Sequence, residues 1–185
     1  MDFRKVKLLL LFASVIFWAT QGLDLWDSGY IVGYSWRIVQ GELPYRDFYY
    51  KGPPATLFLW AWIMQSLPLV GQFLYLKIIN WLFFLFQSFL WMKGIQRGLD
   101  WKVPYPAMTY LLGLIFSVQF FPMYPWPTSD GLLYTAIAFY LWTMCFKKYR
   151  INFYIPWIGF FTIIVALTNQ SFYCILFVFI IITAL

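Results

Sequence analysis

Few side chains in this chain of 185 residues could do chemistry, and most of those stand close together. There are 7 acidic residues and no histidine. Asp24, Asp27, Glu42 and Asp47 fall within residues 23–52, together with Arg37, Arg46 and Lys51. One further acid, Asp130, follows a stretch rich in proline and aromatic residues, Pro122 to Ser129. A carboxylate can take a proton from an attacking hydroxyl, and lysine or arginine can clamp a phosphate. The absence of histidine removes Ser-His and Cys-His dyads and histidine metal sites. Cys145 and Cys174 lie within apolar runs. Two cysteines cannot build a structural zinc site, their spacing is not that of a redox pair, and both are expected to be buried thiols. The sequence contains no phosphate-binding glycine loop.

Each candidate also has a plain structural role. Asp27 is a good N-cap for a helix expected over 28–40, with Gly41 as its C′ residue and Pro44 stopping any continuation. Gly29 and Gly33 would thin one face of that helix for close packing on a span. Asp130 could cap a helix opening at Gly131. Arg46 and Lys51 could anchor near lipid headgroups. The chemical alternative is that the two aspartates stand at a membrane surface beside a lipid-embedded substrate, with the cations holding a phosphate.

The elements that must position these residues follow from composition. The chain is 63% hydrophobic and 11% charged, with a mean hydropathy of +0.71. Soluble domains carry about 25% charged residues. Residues 6–20, 78–92, 107–121, 131–146, 151–167 and 172–185 are nearly free of charge, and with their flanks several approach the ~20 residues a membrane crossing needs. The net charge of +6 sits in short groups at the ends of apolar runs, a loop pattern rather than a nucleic-acid surface.

Lysine and arginine also orient the chain. Arg4, Lys5 and Lys7 place the N-terminus in the cytoplasm, and a retained first span over about 6–22 carries the chain out. Two basic loops, Lys93–Arg97–Lys102 and Lys147–Lys148–Arg150, both fall inside only if Pro53 to Pro68 does not cross. That segment is expected to lie at the outer interface. Spans follow at 72–92, 104–121, 131–146, 152–168 and 171–185. Lys77 and Asn80 stand near the outer start of the span 72–92, and Trp and Tyr near span ends form interfacial belts. The expected fold is all-α: a multi-pass transmembrane bundle in the cell membrane, surrounded by lipid, with an outer acidic loop (23–71) bearing interfacial helices. Leu185 ends within an apolar run, which suggests a piece of a longer protein.

At the acidic loop the chain resembles the GT-C superfamily of membrane glycosyltransferases, in the branch of lipid A aminoarabinose transferase and the protein O-mannosyltransferases. The resemblance rests on Asp27-Ser28-Gly29-Tyr30, on Gly41 followed by Pro44-Tyr45-Arg46-Asp47-Phe48, on Lys51-Gly52-Pro53-Pro54, and on Asp130 after its Pro- and Tyr-rich approach. Residues 1–185 correspond to the N-terminal part of such an enzyme. Two positions depart from the pattern: Ser28 stands where the family has Glu, and Asn169-Gln170 where relatives often carry Lys.

The resemblance implies transfer of a sugar from a polyprenyl-phosphate donor to a lipid, glycan or protein acceptor at the outer face. Asp27 would act as the base, with Asp24 one turn upstream. Lys51 or Arg46 would stabilise the departing phosphate, and Asn169 and Gln170 would line the substrate site. Asp130 could orient the acceptor or help hold a divalent cation, which some branches use; no other cofactor is implied. The alternative is a non-catalytic membrane protein, either a transporter or flippase subunit or an inactive truncated enzyme.

Overall fold

The computed structural model describes residues 27–98, 125–148 and 151–174, together with Ala13. Among these residues all regular structure is helical. The expected span 6–22, the expected span 104–121, Asp24 and residues 175–185 lie outside the described residues.

Helix α1 runs Asp27–Val39. It ends as Gly41 predicts. Gly41 has φ 91°, its N–H donates to Ile38 O at 2.9 Å, and Glu42 N–H donates to Arg37 O at 3.0 Å. This is the paired bonding of a Schellman terminus, which needs a residue with positive φ at that position. The following loop folds back on α1. Leu43 N–H donates to Asp47 Oδ2 at 2.8 Å, and Tyr45 N–H donates to Phe48 O at 2.8 Å. Phe48 stacks on Tyr34 with centroids 5.1 Å apart, and Arg37 lies over the Phe48 ring at 4.5 Å while pairing with Glu42 at 2.5 Å.

Helix α2, Ala55–Gln65, has 11 residues. At 1.5 Å per residue it is about 16 Å long, roughly half a bilayer's hydrocarbon thickness. It buries Thr56, Leu57, Trp60, Ala61, Ile63 and Met64 and leaves Phe58 and Trp62 exposed. One core joins α1, the loop and α2 to the start of the next helix, through Ile31, Phe48, Tyr50, Leu57, Trp60 and Leu76.

Helix α3, Gln72–Gly98, has 27 residues and is long and apolar enough to cross a membrane. Helices α4 (Pro127–Lys148) and α5 (Ile151–Thr168) follow, then a 3-10 turn at Gln170–Phe172. Ring and side-chain contacts give their directions. Trp91 stacks on Phe139 and Arg97 reaches Tyr140 and Met144, so α3 and α4 run the same way. Asn169 bonds Thr128 and Tyr134 stacks on Phe161, so α5 runs opposite to α4. The start of α3, the start of α4 and the end of α5 therefore share one end with α2 and the loop. The opposite end carries Lys93 and Arg97.

Burial along these helices is mixed. On α3, Leu76, Trp81, Phe84 and Leu90 are buried together with Lys77, Asn80, Gln87 and Ser88, while Leu82, Phe86 and Phe89 are exposed. On α5, Ile158 and Val165 are buried together with Thr162 and Thr168, while Phe153, Trp157, Phe160 and Ile163 are exposed. Buried polar groups and exposed large apolar ones are the informative exceptions in any fold. The same mixture corrects the expectation for the thiols: Cys145 is half-buried and Cys174 exposed, because here an apolar run does not mean an inward residue. Lys77 points back along α3, with Nζ 5.8 Å from the Phe73 ring centre, the direction that snorkelling towards the helix start requires.

Glycines set two close approaches. A Cβ on Gly94 would meet the Phe139 ring at 2.6 Å, and one on Gly131 would meet the Phe172 ring at 2.3 Å. Small residues let helix backbones approach in this way. Gly29 and Gly33, expected to do so, meet nothing within 4 Å among the described residues.

Candidate functional site

Asp130 lies in the first turn of α4, ahead of the long apolar stretch that opens at Gly131. The helix begins at Pro127 rather than at Gly131, and the missing N–H of proline costs nothing at a first-turn position. Asp130 is therefore not an N-cap. Ser129 Oγ–H instead donates to Trp126 O at 2.7 Å.

The Asp130 carboxyl turns onto α2. Trp60 Nε1–H donates to its Oδ2 at 2.9 Å, and Trp60 is itself fixed by Phe83 of α3, with ring centroids 5.6 Å apart. Asp130 is 1% exposed. Burial pushes its pKa above the ordinary value, against the opposing effects of Trp60 and the nearby Thr56. Neither Asp130 Oδ1 nor Thr56 Oγ1 has a hydrogen-bond partner of good geometry among the described residues. A buried acid thus keeps one bonded and one unspent oxygen. Such pairings of burial with a specific partner mark candidate sites.

The loop approaches the same acid. Tyr50 is 4% exposed. Its hydroxyl pKa is raised by burial first, and then by Tyr30, Tyr45 and Asp130. The Tyr45 hydroxyl donates to Gly52 O, which fixes the chain on both sides of Lys51. Lys51 is exposed and pairs with no acid among the described residues. Arg46 is spent differently: it pairs with Asp47 at 2.7 Å, and Asp47 is held below the usual carboxylate range by that bond and by Leu43 N–H. Of the two cations the sequence offered for a phosphate, Lys51 is the one left available.

Asn169 closes the far side. Its Nδ2 donates to Thr128 Oγ1 at 3.2 Å and its Oδ1 accepts from Ser171 N–H at 3.0 Å. It therefore ties α5 to α4 two residues from Asp130. The side chains of Gln170 and Asp27 lie outside the described atoms; the backbone places Asp27 at the first residue of α1, one turn before buried Ile31.

The structure thus brings Asp130, Lys51 and Asn169 to one end of the molecule, while Arg46 is engaged within its own turn. Trp60, Thr56 and Tyr50 were not singled out in the sequence. The only signal for Trp60 was that a buried indole needs an acceptor for its N–H. Among the described residues no three His, Cys, Asp or Glu side chains come together to hold a metal; Asp130 alone would not fix a cation.

Comparison with protein-family models, with curated proteins and with solved structures finds no match.

Proposed function

We propose that the chain is the N-terminal part of a multi-pass membrane glycosyltransferase of the GT-C kind. It would move a sugar from a polyprenyl-phosphate donor to a lipid, glycan or protein acceptor at the outer face. The observation that carries this reading is the placement of the buried, half-satisfied Asp130 at the helix end covered by the Lys51 loop. A surface reaction on a lipid-borne substrate needs an acid, a cation and apolar helices beneath them.

Three further features support it. The exposed large apolar side chains of α3 and α5 suit helices whose outer faces meet lipid. The short α2 lies against the end of α4 through Trp60 and Asp130, as a non-crossing interfacial helix would. The chain leaves α3 at the basic end and enters α4 at the other, in keeping with a crossing between them.

In this scheme Asp27 accepts the proton of the acceptor hydroxyl as its oxygen attacks the anomeric carbon. The bond from that carbon to the donor phosphate breaks, and Lys51 stabilises the phosphate that leaves. Asp130, buried and held by Trp60, fixes the helix end against which the acceptor is oriented.

A transporter draws on a different observation: Gln87 and Ser88 are buried near the middle of α3, where a transport site would lie. Two measurements separate the readings. Single cysteines at 42–50 and 125–129 should label from outside, and ones beside Arg97 should not. Membranes carrying the full-length protein should transfer labelled sugar from polyprenyl phosphate to an extractable acceptor. Uptake of a solute without such transfer would overturn the enzyme.

A further inference from the structure

At the end opposite Asp130, α3 and α4 close on each other through Gly94 and Gly98; a Cβ on Gly98 would meet Thr143 at 2.9 Å. Arg97 lies in this seam, half-buried. Its Nη1 donates to the Tyr140 hydroxyl and reaches Met144 Sδ at 2.9 Å, and its guanidinium lies 5.2 Å from the Tyr140 ring centre. Lys93, one turn earlier on the same face, holds its ammonium 5.8 Å from the Phe89 ring.

Every described partner of these two cations is neutral, and neither pairs with a carboxylate among the described residues. Like charges at positions i and i+4 of a helix repel, and a half-buried guanidinium is stabilised by an anion that it can bond.

We propose that the α3–α4 seam at Arg97 and Lys93 binds the phosphate of an anionic phospholipid. Arginine matches a phosphodiester with two parallel donors, and basic pockets between membrane helices recognise lipid headgroups. A lipid is favoured over a free phosphate because exposed Phe89 and Phe86 continue along α3 from Lys93, giving the acyl chains an apolar track. Trp91, Phe139 and Trp142 form the aromatic rim beside it. This proposal rests on the membrane reading above.

The test is a titration of the purified full chain, in phosphatidylcholine mixed micelles, with phosphatidylglycerol. It is run at about 1 M salt, where screening acts within about 3 Å. Binding should saturate, and Lys93→Gln with Arg97→Gln should weaken it roughly thirtyfold, about five- to sixfold for each cation. Lys93→Gln alone, half-exposed and dispensable for folding, should give the single five- to sixfold loss. Arg46→Gln removes as much charge as Lys93→Gln, from an exposed position at the opposite end, and should change nothing. Equal losses from these two single variants would overturn the site in favour of diffuse attraction. Binding of glycerol phosphate as strong as that of the lipid would overturn the lipid assignment. Failure of the membrane reading is a separate result: release of the chain from membranes by alkaline carbonate.

Discussion

The indole N–H of Trp60 donates to Asp130 Oδ2 at 2.9 Å, across two helices and 70 residues of chain. This bond fixes which way the acid faces and joins the short α2 to the end of α4. Trp60→Phe keeps most of the ring and removes the donor, leaving a buried carboxyl with neither oxygen bonded. Stability should fall by about 1–3 kcal/mol, read as a lower thermal midpoint in detergent. A Trp60→Phe variant as stable as the parent at pH 7 would mean that the bond contributes nothing to the assembly of this end.

A dependence on pH follows from the same burial. The pKa of Asp130 is raised above the ordinary 3.8, so the folded chain keeps a proton that the unfolded chain has lost. Its contribution is most favourable below the ordinary value, declines as pH rises from there to the raised value, and is flat above it. Asp130→Asn cannot titrate. The difference in thermal midpoint between parent and variant should therefore shift in favour of Asn as pH rises from about 4 towards neutrality. A difference constant across that range would refute the raised pKa.

Lys51 and Arg46 look alike in sequence and differ in the fold, since Arg46 is committed to Asp47 and Lys51 to no described acid. On the proposed glycosyltransferase reading, Lys51→Ala should raise the donor concentration needed for half-maximal rate by roughly tenfold, the scale of one lost charge-assisted bond. Arg46→Gln should leave that concentration nearly unchanged. Equal effects would show that both act as a diffuse field, and no effect from Lys51→Ala would return it to a headgroup anchor.

Gly131 offers a purely steric check. Its missing side chain admits the Phe172 ring and Thr168 Oγ1, which an added Cβ would meet at 2.3 and 2.8 Å. Gly131→Ala should destabilise the α4–α5 contact by about 1–3 kcal/mol through overpacking. Gly29→Ala, with nothing within 4 Å among the described residues, should be neutral or slightly stabilising as a better helix former. The reverse order would mean that the α4–α5 approach is misplaced.

How much of this was legible differs by element. The end of α1 was readable because Gly41 needs a positive φ, a local constraint written in one residue. The shortness of α2 was readable from the prolines that bound it, Pro53-Pro54 and Pro68, and it has 11 residues. The starts of helices were less so: Pro127 opens α4, whereas Asp130 looked like its cap. The link from Trp60 to Asp130 was hidden, because no periodicity pairs residues on separate helices. The apolar runs also concealed that Lys77, Asn80 and Gln87 turn inward beside Leu76, Trp81 and Phe84; hydropathy averages over faces and cannot show which one packs.

Asp27 separates a helix terminus from a catalyst. As the first residue of α1, it has a structural reason to be an acid, since Asp and Asn both accept from the exposed N–H groups there and favour the helix dipole's positive end in the case of Asp. Asn caps about as well and keeps the oxygen and the shape, but it cannot take a proton. Asp27→Asn should thus leave expression and thermal midpoint nearly unchanged. A general base contributes about 10²–10⁴-fold in rate, so on the proposed glycosyltransferase reading sugar transfer by the variant should fall by at least about a hundredfold. Asp24→Asn, lying before the helix, should do less. Near-normal transfer by Asp27→Asn would remove the base assignment and leave Asp27 a residue of the first turn of α1; loss of both stability and transfer would place its role in the fold of α1.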